Sequence, residues 1–303
     1  MKITYQIIVK CTAEMQVQIK KEEENLMLIV GELINASRKQ IAAAIQAQDA
    51  EAVQEIAKNE HEAGADYIDV NAGVFVWQEA DYLQWLVKTV QQVVDAPCCI
   101  DSPDPKAIEN ALIHHKGTAM LNSISLEKER FERLLPIVSG TELKIVALCM
   151  SDEGMPETCI ERVKIADKLI NDLVRNNIPI SNIYVDLLVQ PISTKNNFGL
   201  EFLNAIEAIM TKFPGVHTIC GLSNISYGLP MRKVLNRNFA VMAIAKGLDS
   251  LIINPLDKQM MSNIIAAETL AGRDDYCVKY LKAYRDKIFE IWFLWHFESS
   301  SYS

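Results

Sequence analysis

The sequence lacks the patterns that would place the chain in a membrane, outside the cell or on nucleic acid. No run approaches the ~20 apolar residues that a membrane span needs, and the start, MKITYQIIVK, is too short and interrupted for a secretory signal. The seven cysteines form no Cys-x-x-Cys pair, so we expect them reduced and mostly buried. The formal net charge of -9 disfavours phosphate backbones. These absences predict a cytoplasmic protein with no membrane and no nucleic-acid partner.

Short motifs for metals, nucleotides and covalent hydrolysis are also missing. The five histidines form no His-x-His or HExxH pattern, so we expect no protein-held metal. There is no Walker loop, and no GxGxxG follows the first apolar run, which argues against nucleotide binding. No nucleophile elbow or Ser-His-Asp order is present.

What the sequence does contain is one repeating rhythm, in which short apolar runs alternate with long helical patterns. This alternation is typical of parallel βα units. Eight runs occur, at Met27–Gly31, Tyr67–Val70, Cys98–Ile100, Ala119–Leu121, Ile145–Met150, Ile183–Val185, Thr218–Leu222 and Leu251–Ile253. Eight such strands in 303 residues predict an α/β fold, a (β/α)₈ TIM barrel with a closed parallel eight-stranded barrel. A doubly wound open sheet is the alternative.

The same pattern divides the chain into three parts. Residues 1–26 are an N-terminal extension, residues 27–272 carry the barrel, and residues 273–303 hold a C-terminal helix and an apolar tail. The tail, Ile288 to Phe297, is too apolar to face water alone. We expect it to pack on the barrel or on a partner subunit.

Polar residues end nearly every predicted strand, and in a barrel these ends open on one mouth, where such enzymes hold their active sites. They are carboxylates, carboxamides and hydroxyls, with almost no cations, and include Glu32, Asn35, Asp69, Asn71, Asp101, Asn122, Asp186, Ser223 and Asn224. Such a mouth suits a flat heterocycle whose edge alternates N–H donors and C=O acceptors, as a 2-amino-4-oxo-pterin does. The alternative for any single residue is a helix cap or a turn.

Seven strand-end segments resemble the pterin-binding methyltransferase family, most closely the methyltetrahydrofolate:corrinoid methyltransferases. They are GELINASR (31–38), DVNAG (69–73), CIDSPD (99–104), LNSIS (121–125), DLLVQP (186–191), GLSNIS (221–226) and INPLD (253–257). The resemblance implies that Asp101, Asn122 and Asp186 hydrogen-bond the pterin ring. It implies that Asn224 reaches N5, the atom that carries the methyl group, as the catalytic residue. Ser223, Glu32 and Asn35 are further pterin-binding candidates.

The resemblance implies an enzyme of one-carbon metabolism that moves a methyl group between N5 of tetrahydrofolate and the cobalt of a corrinoid. Tetrahydrofolate or 5-methyltetrahydrofolate is then the substrate, and the direction stays open. The chain has no Asp-x-His-x-x-Gly motif, so the cobalamin is expected on a separate corrinoid protein. A homodimer is also implied. Leu33, Leu187 and Asp104 depart from residues common in the family, but none occupies one of the four main positions.

Two other functions stay open from the sequence. A dihydropteroate synthase uses a similar pterin pocket, but it needs a cation for pyrophosphate at the strand-7 end, where Ser223 and Asn224 stand. A folate-binding or corrinoid-protein-docking module without turnover is the other alternative. Three further residues carry open readings. Trp77 is either part of the rim under the corrin or a loop anchor. Arg232 and Arg237 either meet folate glutamates or a corrin side chain, or lie on a solvated helix face, which we expect because most arginines are exposed.

Overall fold

In a computed structural model that describes residues 27–289, the chain forms a closed barrel of eight parallel strands. Each strand pairs with the next one along the chain, and the eighth closes on the first. The strands are β1 (Leu28–Asn35), β2 (Tyr67–Asn71), β3 (Cys98–Asp101), β4 (Met120–Leu126), β5 (Lys144–Ser151), β6 (Ile183–Asp186), β7 (His217–Gly221) and β8 (Ser250–Ile253). The predicted TIM barrel is confirmed, and the open-sheet alternative is wrong.

Helices follow the strands and form the outer layer. They are α1 (Lys39–Ala47), α2 (Ala50–Glu62), α3 (Glu79–Val90), α4 (Pro105–Leu112), α5 (Lys128–Val138), α6 (Cys159–Arg175), α7 (Phe198–Lys212), α8 (Arg232–Ala245), α9 (Lys258–Leu270) and α10 (Val278–Arg285). Their starts follow capping chemistry. Asp49 accepts a hydrogen bond from the Ala52 N–H at 3.1 Å and so begins α2. Thr158 and Glu161 form a capping box at the start of α6.

Two strands extend further than their apolar runs predict. β1 continues from Gly31 to Asn35, and β4 continues from Leu121 to Leu126. In both, the register shifts at the point where polar residues begin, between Gly31 and Ile34 on β1. Backbone pairing needs no apolar side chains, so hydrophobicity marks only the buried part of each strand.

The barrel interior is a packed core whose floor is closed at the amino ends of the strands. Its inner layer consists of Val30, Tyr67, Cys99, Met120, Val146, Tyr184 and Ile219. At the bottom, the Lys144 Nζ lies 5.3 Å from the ring centroids of both Tyr67 and Tyr184. The Tyr67 hydroxyl donates to the Thr118 carbonyl at 3.1 Å, and His217 stacks on Tyr184. The larger outer core lies between the strands and the helices.

The C-terminal helix α10 packs against α9 and buries Ala283. Asp274 accepts hydrogen bonds from the Lys279 and Tyr280 N–H groups, both at 2.9 Å, which fixes the start of this helix. The sequence expectations for residues 1–26 and for the tail beyond residue 289 lie outside the described residues. No helix within residues 27–289 is long and apolar enough to cross a membrane.

The cysteine expectation holds for most of the described positions. Cys98, Cys99, Cys149 and Cys220 are buried free thiols, as strand positions in a barrel should be. Cys277 is exposed just before α10, which the apolar-run argument did not foresee.

Candidate functional site

The two-residue period of the strands aims polar side chains into the barrel mouth. Five of the seven inner-layer residues are followed two positions later by a polar residue of the mouth. The pairs are Val30 and Glu32, Tyr67 and Asp69, Cys99 and Asp101, Met120 and Asn122, and Tyr184 and Asp186. Strand register aligns them further, because Asn71 pairs with Asp101 and Asp101 pairs with Asn122 on adjacent strands. The mouth therefore follows from the alternation of the same strands that build the core.

All seven sequence-predicted site residues line one cavity of about 480 Å³ at this mouth. They are Glu32, Asn35, Asp101, Asn122, Asp186, Ser223 and Asn224. Asp69, Ser37, Arg38, Leu188 and Val189 complete most of the wall. The volume is that of a small-molecule site, and its polar lining suits a heterocycle with several N–H and C=O groups.

A larger cavity, about 840 Å³, lies elsewhere, between α6 and the loop that follows β5. Its polar groups already serve the fold. Thr158 and Glu161 cap α6, and Arg175 pairs with Asp172 on the same helix. The mouth cavity differs because one of its lining atoms, the Asp69 Oδ1, is buried without a hydrogen-bond partner within residues 27–289, which marks this cavity as the better ligand site.

The floor of the mouth cavity is a pair of interacting acids, Asp69 and Asp101. Asp69 is 2% exposed, and its Oδ1 atom has no hydrogen-bond partner within residues 27–289. Burial and the neighbouring Asp101 carboxylate raise the pKa of Asp69 well above its usual range. Asp101 accepts a hydrogen bond from the Asn71 Nδ2 at 2.9 Å, which opposes the increase that burial causes in its own pKa. The pair therefore holds a proton more readily than ordinary carboxylates and offers oxygens to a ligand.

Glu60 on α2 is a buried acid just beneath the mouth, and the sequence reasoning missed it. Its Oε1 accepts the Leu33 N–H at 2.9 Å, and its Oε2 has no partner within the described part of the chain. Burial raises the pKa of Glu60 to about 8. Gly31 makes room for it, because a Cβ at that position would lie 2.6 Å from the Oε1. A signal existed, since Glu60 continues the buried face of Val53 and Ala57.

Asp186 is held on one side and open on the other. Its Oδ1 accepts the Leu188 N–H at 2.8 Å, while the residue lines the cavity. Burial raises the pKa of Asp186 to about 6, against that hydrogen bond. Leu188 has a φ of 62°, a left-handed conformation that is strained for leucine. The turn therefore fixes one carboxylate oxygen and leaves the other for a ligand.

The carboxamides of Asn122 and Asn224 have no hydrogen-bond partner among residues 27–289, so both are available to a ligand. Asn224 and Ser223 lie in a short 3₁₀ turn, Leu222–Ser226, that directly follows β7. The Asn224 side chain is exposed at the open end of the cavity. Asn122 is deeper and beside Asp101.

The mouth contains more positive charge than the sequence suggested. Arg38 lines the cavity and pairs with Glu32 at 3.0 Å. The expectation of a solvated helix face is wrong for Arg237, which is largely buried against Asp257, while Arg232 is exposed as expected. Arg232 donates to the Ser223 carbonyl at 2.6 Å, and Arg237 pairs with Asp257 at 2.7 Å. Helical periodicity could not reveal these contacts, because their acceptors lie on loops distant in sequence.

Trp77 is 96% exposed in the loop after β2, so the loop-anchor reading of this residue is wrong. It does not line the cavity and instead stands in the loop region at the same end of the barrel. Within residues 27–289, no group of three or more His, Cys, Asp or Glu side chains is placed to hold a metal ion.

Comparison with known proteins places this geometry in context. The family described as pterin binding enzyme matches residues 31–254. The chain is 35% identical over 261 residues to a methylcorrinoid:tetrahydrofolate methyltransferase of Eubacterium limosum, covering 86% of this chain and 96% of that protein. It is 30% identical over 241 residues to the methionine synthase of Mycobacterium tuberculosis, covering 75% of this chain but 20% of that longer protein.

Solved structures resemble the barrel more distantly. A dihydropteroate synthase from Coxiella burnetii in complex with pteroic acid superposes with a TM-score of 0.63 at 14% identity. The match covers 81% of this chain and 93% of that one. At this identity, the likeness shows the fold alone.

Proposed function

The chain belongs to the pterin-binding enzyme family, and from this premise we propose that its barrel mouth is where a methyl group moves between tetrahydrofolate and a corrinoid. The protein is an enzyme, a methyltetrahydrofolate:corrinoid methyltransferase that transfers a methyl group between N5 of the folate and the cobalt of a corrinoid on a separate protein. The observation that carries this function is the gathering of seven polar strand-end residues around one cavity, in a chain that is 35% identical to such an enzyme over most of its length. Dihydropteroate synthase shares only the fold.

The roles of the cavity residues follow from their donors and acceptors. The free oxygen of Asp186 and the oxygens of Asp101 accept N–H groups of the pterin edge, and Asn122 both donates and accepts. Asp69 lies beneath them with an oxygen that lacks a partner. Glu32, Asn35 and Ser223 complete the wall. Buried carboxylates with unfilled hydrogen-bonding capacity support the binding of a heterocycle rich in N–H groups.

Asn224 is the residue we assign to N5. When N5 accepts the methyl group, the carboxamide orients the nitrogen lone pair toward the incoming carbon. When N5 is the leaving group, the Asn224 N–H stabilises the electron pair that develops on nitrogen. Because a neutral carboxamide can donate or accept, one side chain serves both directions.

In this proposal the corrinoid protein approaches the open end of the barrel, because Asn224, the residue assigned to N5, lies there. Exposed apolar side chains stand there on two loops, with Val76 and Trp77 after β2 and Tyr227 and Met231 after β7. Large exposed apolar groups of this kind are typical anchors of protein interfaces. We assign this rim to the docking of the corrinoid protein.

Trp77→Ala is expected to raise the KM for the corrinoid protein about tenfold, which is typical of losing one interface anchor. Transfer to or from free cobalamin should be unchanged, because that reaction needs no docking partner. Tyr276→Ala is the matched control, since Tyr276 is 95% exposed but precedes α10, away from the mouth loops. Steady-state kinetics with both methyl carriers measure the effect. Equal KM values for both variants would reject the rim assignment.

The function itself is tested with the purified chain, tetrahydrofolate and methylcobalamin. We expect the corrinoid absorbance to shift as the methyl group leaves and 5-methyltetrahydrofolate to appear by chromatography. The reverse reaction is followed with 5-methyltetrahydrofolate and cob(I)alamin. Tight folate binding without exchange in either direction would favour a binding module. Condensation of a pterin pyrophosphate with 4-aminobenzoate would favour dihydropteroate synthase.

A homodimer and a cytoplasmic location rest on the sequence and its resemblance, and both stay predictions. Light scattering of the purified full chain measures the first. A mass equal to one chain at micromolar concentration would contradict the dimer.

A further inference from the structure

A buried arginine on α6 holds the loop that carries Asp186. Arg162 is 0% exposed and contributes to the otherwise apolar face formed by Ala166 and Leu169. Its Nε donates to the Leu187 carbonyl at 2.8 Å, and its Nη1 donates to the Glu157 carbonyl at 2.7 Å. Its Nη2 reaches the Leu188 carbonyl and the Gln190 Oε1, both at 3.3 Å. All four acceptors are amide oxygens, and three of them belong to the segment directly after Asp186.

Burying a cation among neutral acceptors carries a large desolvation free energy, and an apolar side chain of similar volume would avoid that penalty. Burial lowers the pKa of Arg162, yet a guanidinium stays charged in proteins. Arg162 therefore stands on a largely apolar helix face as a charged donor whose contacts are with backbone carbonyls and the Gln190 carboxamide. The planar guanidinium has several N–H donors in a fixed arrangement, so it can hold several carbonyls in place at once.

The fixed segment is strained where it meets the cavity. Leu188 adopts a left-handed φ of 62°, and its N–H is bound to the Asp186 Oδ1. Without an external hold, this leucine would relax toward a negative φ and withdraw its N–H from the carboxylate. Arg162 binds the carbonyls on both sides of that N–H, those of Leu187 and Leu188. The guanidinium therefore stabilises the backbone that orients Asp186.

The cavity residues on β4 and after β7 have a similar arrangement. Arg130, on α5, donates twice to the Ser123 carbonyl, at 2.9 and 2.7 Å, directly after Asn122. Arg232, on α8, donates to the Ser223 carbonyl directly before Asn224. Each of these three cavity residues thus has a helix arginine bound to the adjacent backbone.

We propose that Arg162 is a positioning residue of the ligand site, which sets the orientation of the Asp186 carboxylate through the backbone of residues 187–190. The proposal rests on the proposed function only in naming tetrahydrofolate as the ligand. Arg162 does not touch the ligand itself. A lysine cannot replace it, because a single ammonium group cannot reach the Leu187 and Leu188 carbonyls in the way that separate nitrogens of the planar guanidinium do.

The test compares Arg162→Lys with Leu169→Ala, a fully buried control on the same helix. We expect both variants to lower the free energy of unfolding, but only Arg162→Lys to free the backbone of residues 187–190. We expect Arg162→Lys to weaken tetrahydrofolate binding about tenfold by calorimetry and Leu169→Ala to change it less than twofold, at a temperature where both are folded. Exchange of the Leu188 amide hydrogen should accelerate only in Arg162→Lys. Equal affinities and equal exchange in the two variants would overturn the proposal.

A double variant separates positioning from general destabilisation. In an Asp186→Ala background, Arg162→Lys should add less than twofold to the loss of affinity, because the group that it positions is gone. Additive losses would reject the proposal. If Arg162→Lys does not fold, Gln190→Ala removes one acceptor of the guanidinium and is expected to weaken binding about threefold, and unchanged affinity would count against Arg162.

These outcomes are distinct from a failure of the proposed function. A wild-type chain that binds no tetrahydrofolate would refute the function. The Leu188 exchange rates would still decide whether Arg162 holds the loop.

Discussion

Asn224→Ala is expected to lower the rate of methyl transfer about 100- to 1,000-fold, while the affinity for tetrahydrofolate changes less than about threefold. The carboxamide has no partner in the described residues and stands at the open end of the cavity, on the side of the proposed docking rim. In the proposed binding mode the ring lies deeper, against Asp101, Asn122 and Asp186. An interaction that strengthens in the transition state changes the rate constant and leaves ground-state binding nearly intact.

Single-turnover kinetics with methylcobalamin measure this rate, and calorimetry with tetrahydrofolate measures the affinity. Asn254→Ala is the matched control, because Asn254 also follows a strand but lies outside the cavity, where its Oδ1 accepts a hydrogen bond from the Leu256 N–H. We expect its rate to stay within twofold of the wild-type value. If Asn224→Ala loses folate affinity and rate in equal proportion, Asn224 binds the ring and has no separate role at N5.

Glu60→Gln is expected to remove a pH dependence from the free energy of unfolding. The pKa of Glu60 is about 8 in the folded chain, against 4.5 for an unperturbed carboxyl, so the folded state holds a proton that the unfolded state releases. Its contribution to stability is therefore complete below about pH 4.5 and is lost as the pH rises through 8. At about 1.4 kcal/mol per pH unit, the wild type should lose about 2 kcal/mol relative to the variant between pH 6 and pH 8.

Glutamine keeps an oxygen for the Leu33 N–H and cannot ionise, so the variant isolates the proton from the hydrogen bond. Urea unfolding of both proteins across this pH range measures the difference. Glu55→Gln, at an exposed position on the same helix, should run parallel to the wild type. Parallel curves for Glu60→Gln as well would mean that the buried carboxyl is ionised in the folded chain.

The barrel and the gathering of the site residues could be predicted from the sequence because both depend on local alternation. Side chains two positions apart on a strand point to the same face. When an apolar strand ends in Asp or Asn, the core residue and the cavity residue therefore lie on one face, as Cys99 and Asp101 or Tyr184 and Asp186 do. The parallel register then brings those ends together without any further information.

Glu60 and Arg162 could not be predicted in the same way. A charged residue in a helix is usually exposed, and only its place on the apolar face separates these two from their neighbours. Their partners at Leu33 and Leu187 are backbone groups 27 and 25 residues away, and a backbone N–H or carbonyl has no sequence signature. The contacts of this supporting layer therefore became visible only in three dimensions, while the residues that line the mouth cavity could be recognised at the strand ends.

The closed floor of the barrel constrains the order in which folate and the corrinoid carrier bind and leave. With Tyr67, Tyr184 and Lys144 closing the amino end, the mouth cavity formed by residues 27–289 opens only on the side of the proposed docking rim. A carrier docked on that rim would cover the exit of the folate. In the proposed mechanism, folate therefore enters before the carrier arrives and leaves after it departs. Turnover would then follow a compulsory order, and a carrier that dissociates slowly would limit the rate of every cycle.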